Sequence, residues 1–94
     1  MIKTFADSDT ERIFRGLRAR KIPIQIRERA SRKLILLNAI ETLQELRVPP
    51  GNRLEKLEGD RAGQHSIRIN DQWRICFVWR EGNAFEVEVT DYHS

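Results

Sequence analysis

The chain has 94 residues, 17 basic against 14 acidic side chains for a formal net charge of +3, and a pI near 9.5. That length is enough for one domain, 1–94, with one small core, so a shallow site open to a large polymer is expected rather than a deep pocket. A single cysteine excludes an intrachain disulfide, two distant histidines give no metal-ligand spacing, and no apolar run is long enough for a membrane-spanning helix.

The charge is unevenly spread. Residues 1–50 hold eleven Lys and Arg against six Asp and Glu, while residues 51–94 hold six against eight. A basic half of this kind is either a set of solvated helix faces or an attractor of phosphate backbones through counterion release. Charge alone leaves both readings open.

In chain order, Met1–Phe5 mixes Ile2 and Phe5 with Lys3 and Thr4 and reads as an edge strand. Ser8-Asp9-Thr10-Glu11 fits a capping box with Ser8 as N-cap, so a short helix follows with Ile13, Phe14 and Leu17 on its buried side. Lys21-Ile22-Pro23 breaks it. From Gln25 to Leu46 the residues Ile26, Ala30, Leu34, Leu37, Ile40 and Leu43 recur at steps of three or four, which predicts a longer one-sided helix. Val48-Pro49-Pro50-Gly51-Asn52 ends it in a turn-rich linker.

The period then changes to two. Leu54–Leu57 reads as a short strand, and His65–Asn70 alternates Ile67 and Ile69 with Ser66 and Arg68. Gln72–Trp79 sets Trp73, Ile75, Phe77 and Trp79 on one face and Arg74, Cys76 and Val78 on the other. Ala84–Val89 alternates Phe85, Val87 and Val89 with Glu86 and Glu88. Asn70-Asp71 and Arg80-Glu81-Gly82-Asn83 have hairpin lengths and turn-prone residues. The expected class is α+β, with two N-terminal helices packed on one face of a small, mainly antiparallel sheet. Cys76 lies in an apolar run and is expected to be a buried small hydrophobe rather than a nucleophile.

Neither a phosphate-cradling GxxxxGK[ST] loop nor a nucleophile elbow occurs. What remains is a polar set on the sheet. Arg74 lies on the face opposite the tryptophans, and Arg68 lies on the neighbouring strand. The segment Leu54–Arg61 precedes the meander and is expected to fold over that face. The chain ends in Asp91-Tyr92-His93-Ser94.

Leu57-Glu58-Gly59-Asp60-Arg61-Ala62-Gly63, Ser66-Ile67, Gln72-Trp73-Arg74-Ile75 and Asp91-Tyr92-His93, together with the opening Met1–Phe5, resemble the HigB-type toxins of the RelE/ParE superfamily. The resemblance spans nearly the whole chain. It implies a RelE-like fold, cleavage of mRNA in the ribosomal decoding site, and neutralisation by a HigA-like helix-turn-helix antitoxin. No metal, cofactor or membrane is implied, and the expected location is the cytoplasm.

In that chemistry the ribose 2′-oxygen attacks the adjacent phosphate, and a base, an acid and a cation are needed. His93 is the expected base or acid, since imidazole titrates near neutrality. Arg74 is the expected phosphate clamp. Tyr92 is expected to donate a proton or stack on a base, and Asp91 to orient His93. Arg61, Arg68 and Lys56 are expected RNA contacts.

Relatives often carry His or Lys in the segment matching Leu54–Gly59, whereas this chain has Glu55 and Glu58. Those carboxylates oppose a phosphate path, Lys56 compensates in part, and a slow enzyme is expected. Unbroken alternation would put Asp91 and His93 on the core side, so a bulge or turn after Val89 is expected. A ParE-like protein that binds gyrase without cutting RNA, and an inactive module that only binds its antitoxin, are the alternative readings.

Overall fold

The computed structural model describes residues 1–91. Helix α1 (Ser8–Phe14) is capped by Asp7 rather than Ser8: the Asp7 carboxylate accepts from the Thr10 N–H at 2.7 Å. A carboxylate at this position both caps the orphan donor and complements the positive end of the helix. Gly16 turns the chain at φ +76° just past the helix end, which leaves Leu17 exposed rather than buried.

Helix α2 (Ile24–Ala39) buries Ile26, Ala30, Leu34 and Leu37, the expected stripe. It stops well before Leu46. Ile40 is extended, and Thr42 with Glu45 forms a capping box that starts a separate 3₁₀ turn, Leu43–Arg47. Glu45 accepts from the N–H groups of Thr42 and Glu41 at 2.8 Å each, and those bonds hold its carboxyl below the usual range. The capping chemistry outweighs the apolar periodicity here, and Leu46 is still buried from the new turn.

The sheet has four strands, β1 (Glu55–Lys56), β2 (His65–Arg68), β3 (Trp73–Arg80) and β4 (Asn83–Asp91), in the order β1-β2-β3-β4 with every pair antiparallel. Met1–Phe5 forms no strand of its own but makes two parallel bridges to β4, Ile2 with Ala84 and Phe5 with Val87. One face of the sheet buries Ile67, Ile75, Phe77, Val87 and Val89 in the core that α2 closes, with Trp73 and Trp79 partly covered at its ends. The buried Thr10 hydroxyl accepts from the Val89 N–H at 2.9 Å and fastens α1 to β4.

The register of β4 carries the main departure from simple alternation. Cys76 pairs with Glu88 but Val78 pairs with Phe85, so β4 holds one extra residue between them. Glu86 sits there at φ +52°, and its N–H donates to the Thr4 hydroxyl at 2.8 Å. The bulge reverses the parity of what precedes it. Phe85 therefore faces away from the core, where the Arg80 guanidinium lies 4.5 Å over its ring, instead of sharing the core face with Val87 and Val89. Among the described residues no bulge or turn follows Val89: β4 stays paired through Thr90 to Asp91, which sits opposite Trp73. No helix among the described residues is long and apolar enough to cross a membrane.

Candidate functional site

The outer face of the sheet, away from the helices, carries Glu55, Ser66, Arg68, Arg74, Cys76, Glu88 and Thr90 by register. Arg74 lies at its centre. Its Nε donates to Ser66 Oγ at 2.7 Å, and its Nη2 donates to the Arg53 carbonyl at 2.6 Å and to the Ser66 carbonyl at 3.4 Å. The Glu55 carboxylate stands 3.9 Å from the same Nη2.

Each anchor has a local cause. Ser66 pairs with Cys76, two residues along β3 from Arg74, so it is the diagonal neighbour, and its small side chain lets the guanidinium lie across the strand. Arg53 ends the 3₁₀ turn Pro50–Asn52 in the left-handed region, φ +45°, which turns its carbonyl toward Arg74. Only 11% of the Arg74 side chain remains exposed. The protein occupies Nε and Nη2, and no described residue accepts from Nη1.

Around this centre the charges are paired. Arg61 Nη1 donates to Glu88 at 3.2 Å and to Gln64 at 3.0 Å. Glu88 faces Cys76, whose wholly buried thiol is pushed up by burial, while Arg61 and Arg74 partly offset that and Glu88 adds to it. Arg68 stands directly across from Arg74 on β2 and bonds Asp71 over the β2–β3 turn.

The expected residues divide into three groups. Arg74 and Arg68 share the outer face by strand register, and Arg61 reaches that face from the 3₁₀ turn Gly59–Arg61 through its bond to Glu88. Lys56 does not join them: it pairs with His65, whose parity belongs to the Phe77 side. Asp91 is likewise on the helix side. It pairs with Trp73, accepts from Gln72 Nε2 at 2.8 Å, and lines a groove with Asp7, Asp9, Lys21 and Trp73. Tyr92 and His93 lie outside the described residues.

Two participants were not singled out from sequence. Ser66 could have been found from its parity, since it alternates onto the face that carries Arg74. The Arg53 carbonyl carried no signal, because it depends on one left-handed residue in an irregular segment. His65 stacks on Phe77 at 6.2 Å between centroids, with Nδ1 buried and without a partner. Burial first, and Lys56 second, lower its pKa, so at neutral pH the ring is uncharged. Among the described residues no three His, Cys, Asp or Glu side chains cluster to hold a metal ion.

A family model described as the RelE-like toxin of the type II toxin–antitoxin system HigB matches residues 3–93. The chain is similar to Toxin HigB-1 of Vibrio cholerae serotype O1, 48% identical over 67 residues that cover 71% of this chain and 70% of that protein. It is also similar to Endoribonuclease HigB of Proteus vulgaris, 31% identical over an alignment of 97 residues that covers 99% of this chain and 100% of that protein.

Proposed function

The chain belongs to the RelE-like HigB toxins of type II toxin–antitoxin systems, and on that premise we propose that it is an endoribonuclease that cuts mRNA on the ribosome. The observation that carries the reading is the Arg74 guanidinium, held by Ser66 and Arg53 on the outer polar face, 11% exposed, with one nitrogen left for a ligand. A donor fixed in advance stabilises charge as it develops without a cost of reorganisation during the reaction.

In this account the 2′-oxygen of the ribose attacks the adjacent phosphorus and the 5′-oxygen leaves. The products are a 2′,3′-cyclic phosphate and a 5′-hydroxyl. Arg74 binds a non-bridging oxygen of the phosphorane through Nη1, and an arriving phosphate competes with Glu55 for the same cation. His93 and Tyr92 supply the base and the acid. Supporting this, β4 carries the chain to Asp91, opposite Trp73, the residue that adjoins Arg74 on β3. Arg68 and Arg61 hold flanking phosphates, and Lys56 contacts RNA from the sheet edge.

As a type II toxin the protein has an antitoxin partner. We take that partner to be a HigA-like helix-turn-helix protein. Primer extension on translated mRNA tests the reading: expression of the chain should produce new cuts within coding sequence, and Arg74→Ala should abolish them. Cuts of undiminished intensity from Arg74→Ala would remove the proposed clamp.

A further inference from the structure

Around the edge of the sheet from Arg74 lies a second basic surface. A cleft between α2, the turn at Gly51 and the end of β2 is lined by Arg29, Arg32, Lys33 and Arg68, with Leu36 and Ile69 as its apolar floor. None of its lining residues is acidic. The carboxylates that reach these cations do so from the rim. Glu28 pairs with Arg32 at 3.3 Å, one turn away on α2, and Asp71 pairs with Arg68 from an almost fully exposed position. Exposed pairs of this kind are weak and open readily to a competing anion.

The fold holds the cations in place before any ligand arrives. Arg29 Nη1 donates to the Ile69 carbonyl at 3.1 Å, and the Lys33 ammonium donates to the buried Asn52 side chain, which itself bonds the Leu46 carbonyl at 3.2 Å. Burial, then Arg29 and Arg32, lower the Lys33 pKa, as expected where cations crowd without an internal counter-charge. Arg68 belongs to both surfaces: it lines this cleft and stands directly across from Arg74.

We propose that this cleft binds the sugar–phosphate backbone of the same single-stranded RNA that is cut at Arg74, gripping phosphates that flank the scissile one. The inference rests on the endoribonuclease reading and extends it to the path of the strand. The lining side chains are cations, which suit phosphates, over a small apolar floor, with no side-chain acceptor among them for base edges. The cleft therefore fixes position and register without reading sequence.

The test is fluorescence anisotropy of the full chain with a single-stranded RNA carrying 2′-O-methyl riboses throughout, which cannot be cut, across a series of salt concentrations. Arg32→Gln is the principal variant, because Arg32 is exposed and, among the described residues, pairs with Glu28 alone. Arg47→Gln makes the same charge change on an exposed residue outside the cleft. The proposal expects Arg32→Gln to weaken binding several-fold and to flatten the slope of log affinity against log salt by about 0.7, the value for one lost single-strand phosphate contact. Arg47→Gln should match the parent.

Parent-like affinity and slope for Arg32→Gln overturn the proposal, and so does an equal loss in Arg47→Gln, which would be a long-range charge effect. An effect on a duplex of the same sequence but not on the single strand overturns it in favour of structured RNA. An effect on antitoxin binding alone overturns it in favour of an acidic protein segment. Failure here and failure of the endoribonuclease reading are distinguishable. A parent that cuts mRNA while Arg32→Gln binds RNA normally removes only the cleft. A parent that cuts no mRNA removes the enzyme, and with it the cut strand that the cleft is assigned to hold.

Discussion

The Nε of Arg74 and the buried hydroxyl of Ser66 lie 2.7 Å apart on adjacent strands, and this bond fixes the plane of the guanidinium at the centre of the sheet's polar face. An arginine on a strand normally samples many rotamers in solvent. Here the diagonal neighbour and the Arg53 carbonyl remove that freedom, so the entropy of ordering the side chain is spent in folding rather than in catalysis.

Ser66→Ala should therefore slow cleavage with little change in KM, because Arg74 remains present but is no longer aimed. Hydrogen bonds to charged groups contribute about 1.5–3 kcal/mol, so a fall in kcat of about tenfold or more is expected. Steady-state kinetics on ribosome-bound mRNA checks this, and an unchanged kcat would mean that Arg53 alone suffices to hold the guanidinium.

Thr10→Val tests the joint between α1 and β4. The variant keeps the shape of the side chain but leaves the buried Val89 N–H without its acceptor. Stranding such a donor costs about 1–3 kcal/mol, and each kcal/mol lowers the Tm of a domain this size by about 4–8 °C. Thermal melting followed by circular dichroism gives the value directly.

Acid should destabilise the fold through His65. Burial and Lys56 lower its folded pKa, so the unfolded chain binds a proton more readily than the folded one. The contribution to stability is complete above the unfolded value of about 6.5, and is lost as pH falls through the lower folded value. His65→Phe keeps the stack on Phe77 but cannot titrate. The difference in Tm between parent and variant should vary with pH over that window and level off above it.

Cys76 should resist thiol reagents in the native protein. It is wholly buried and its pKa is raised, so the reactive thiolate is both scarce and screened. Labelling with a chromogenic disulfide should proceed only as fast as the protein unfolds, and should be complete in denaturant. Rapid labelling of the folded chain would show that the Arg61–Glu88 pair above the thiol opens.

The two faces of β3 were legible in the sequence, because period-two alternation needs only the residues of that strand. From it follow the core residues Ile75 and Phe77 and the placement of Arg74 away from them. Helix ends were less legible, since Asp7 competes with Ser8 for one cap and Thr42 with Glu45 restarts a helix that periodicity would have continued. The bulge at Glu86 could not be read locally: its N–H is satisfied by Thr4, 82 residues away in sequence.

Much of the candidate site depends on register in the same way. Arg68 and Arg74 stand opposite one another because the β2–β3 turn is one residue longer than the gap at Asn70-Asp71 suggests; a two-residue loop there would have paired Ile69 with Gln72 and Arg68 with Trp73. Lys56 went to the other side because a two-residue strand gives no alternation to read, and only its pairing with His65 decides its parity. Asp91 is separated from Arg74 by the ordinary pleat of β4, which pairs regularly from Glu88 to Asp91, whereas the expectation placed a bulge or turn after Val89.

Single-turnover cleavage of ribosome-bound mRNA by the parent, Arg74→Ala, His93→Gln and the double variant tests the central claim most directly. If both side chains act on one phosphodiester, each single variant should lose most of the rate and the double should be about as slow as either, because groups that act as a unit are not additive. A His93→Gln variant that cuts at the parental rate, or losses that simply multiply in the double variant, would contradict a shared catalytic centre.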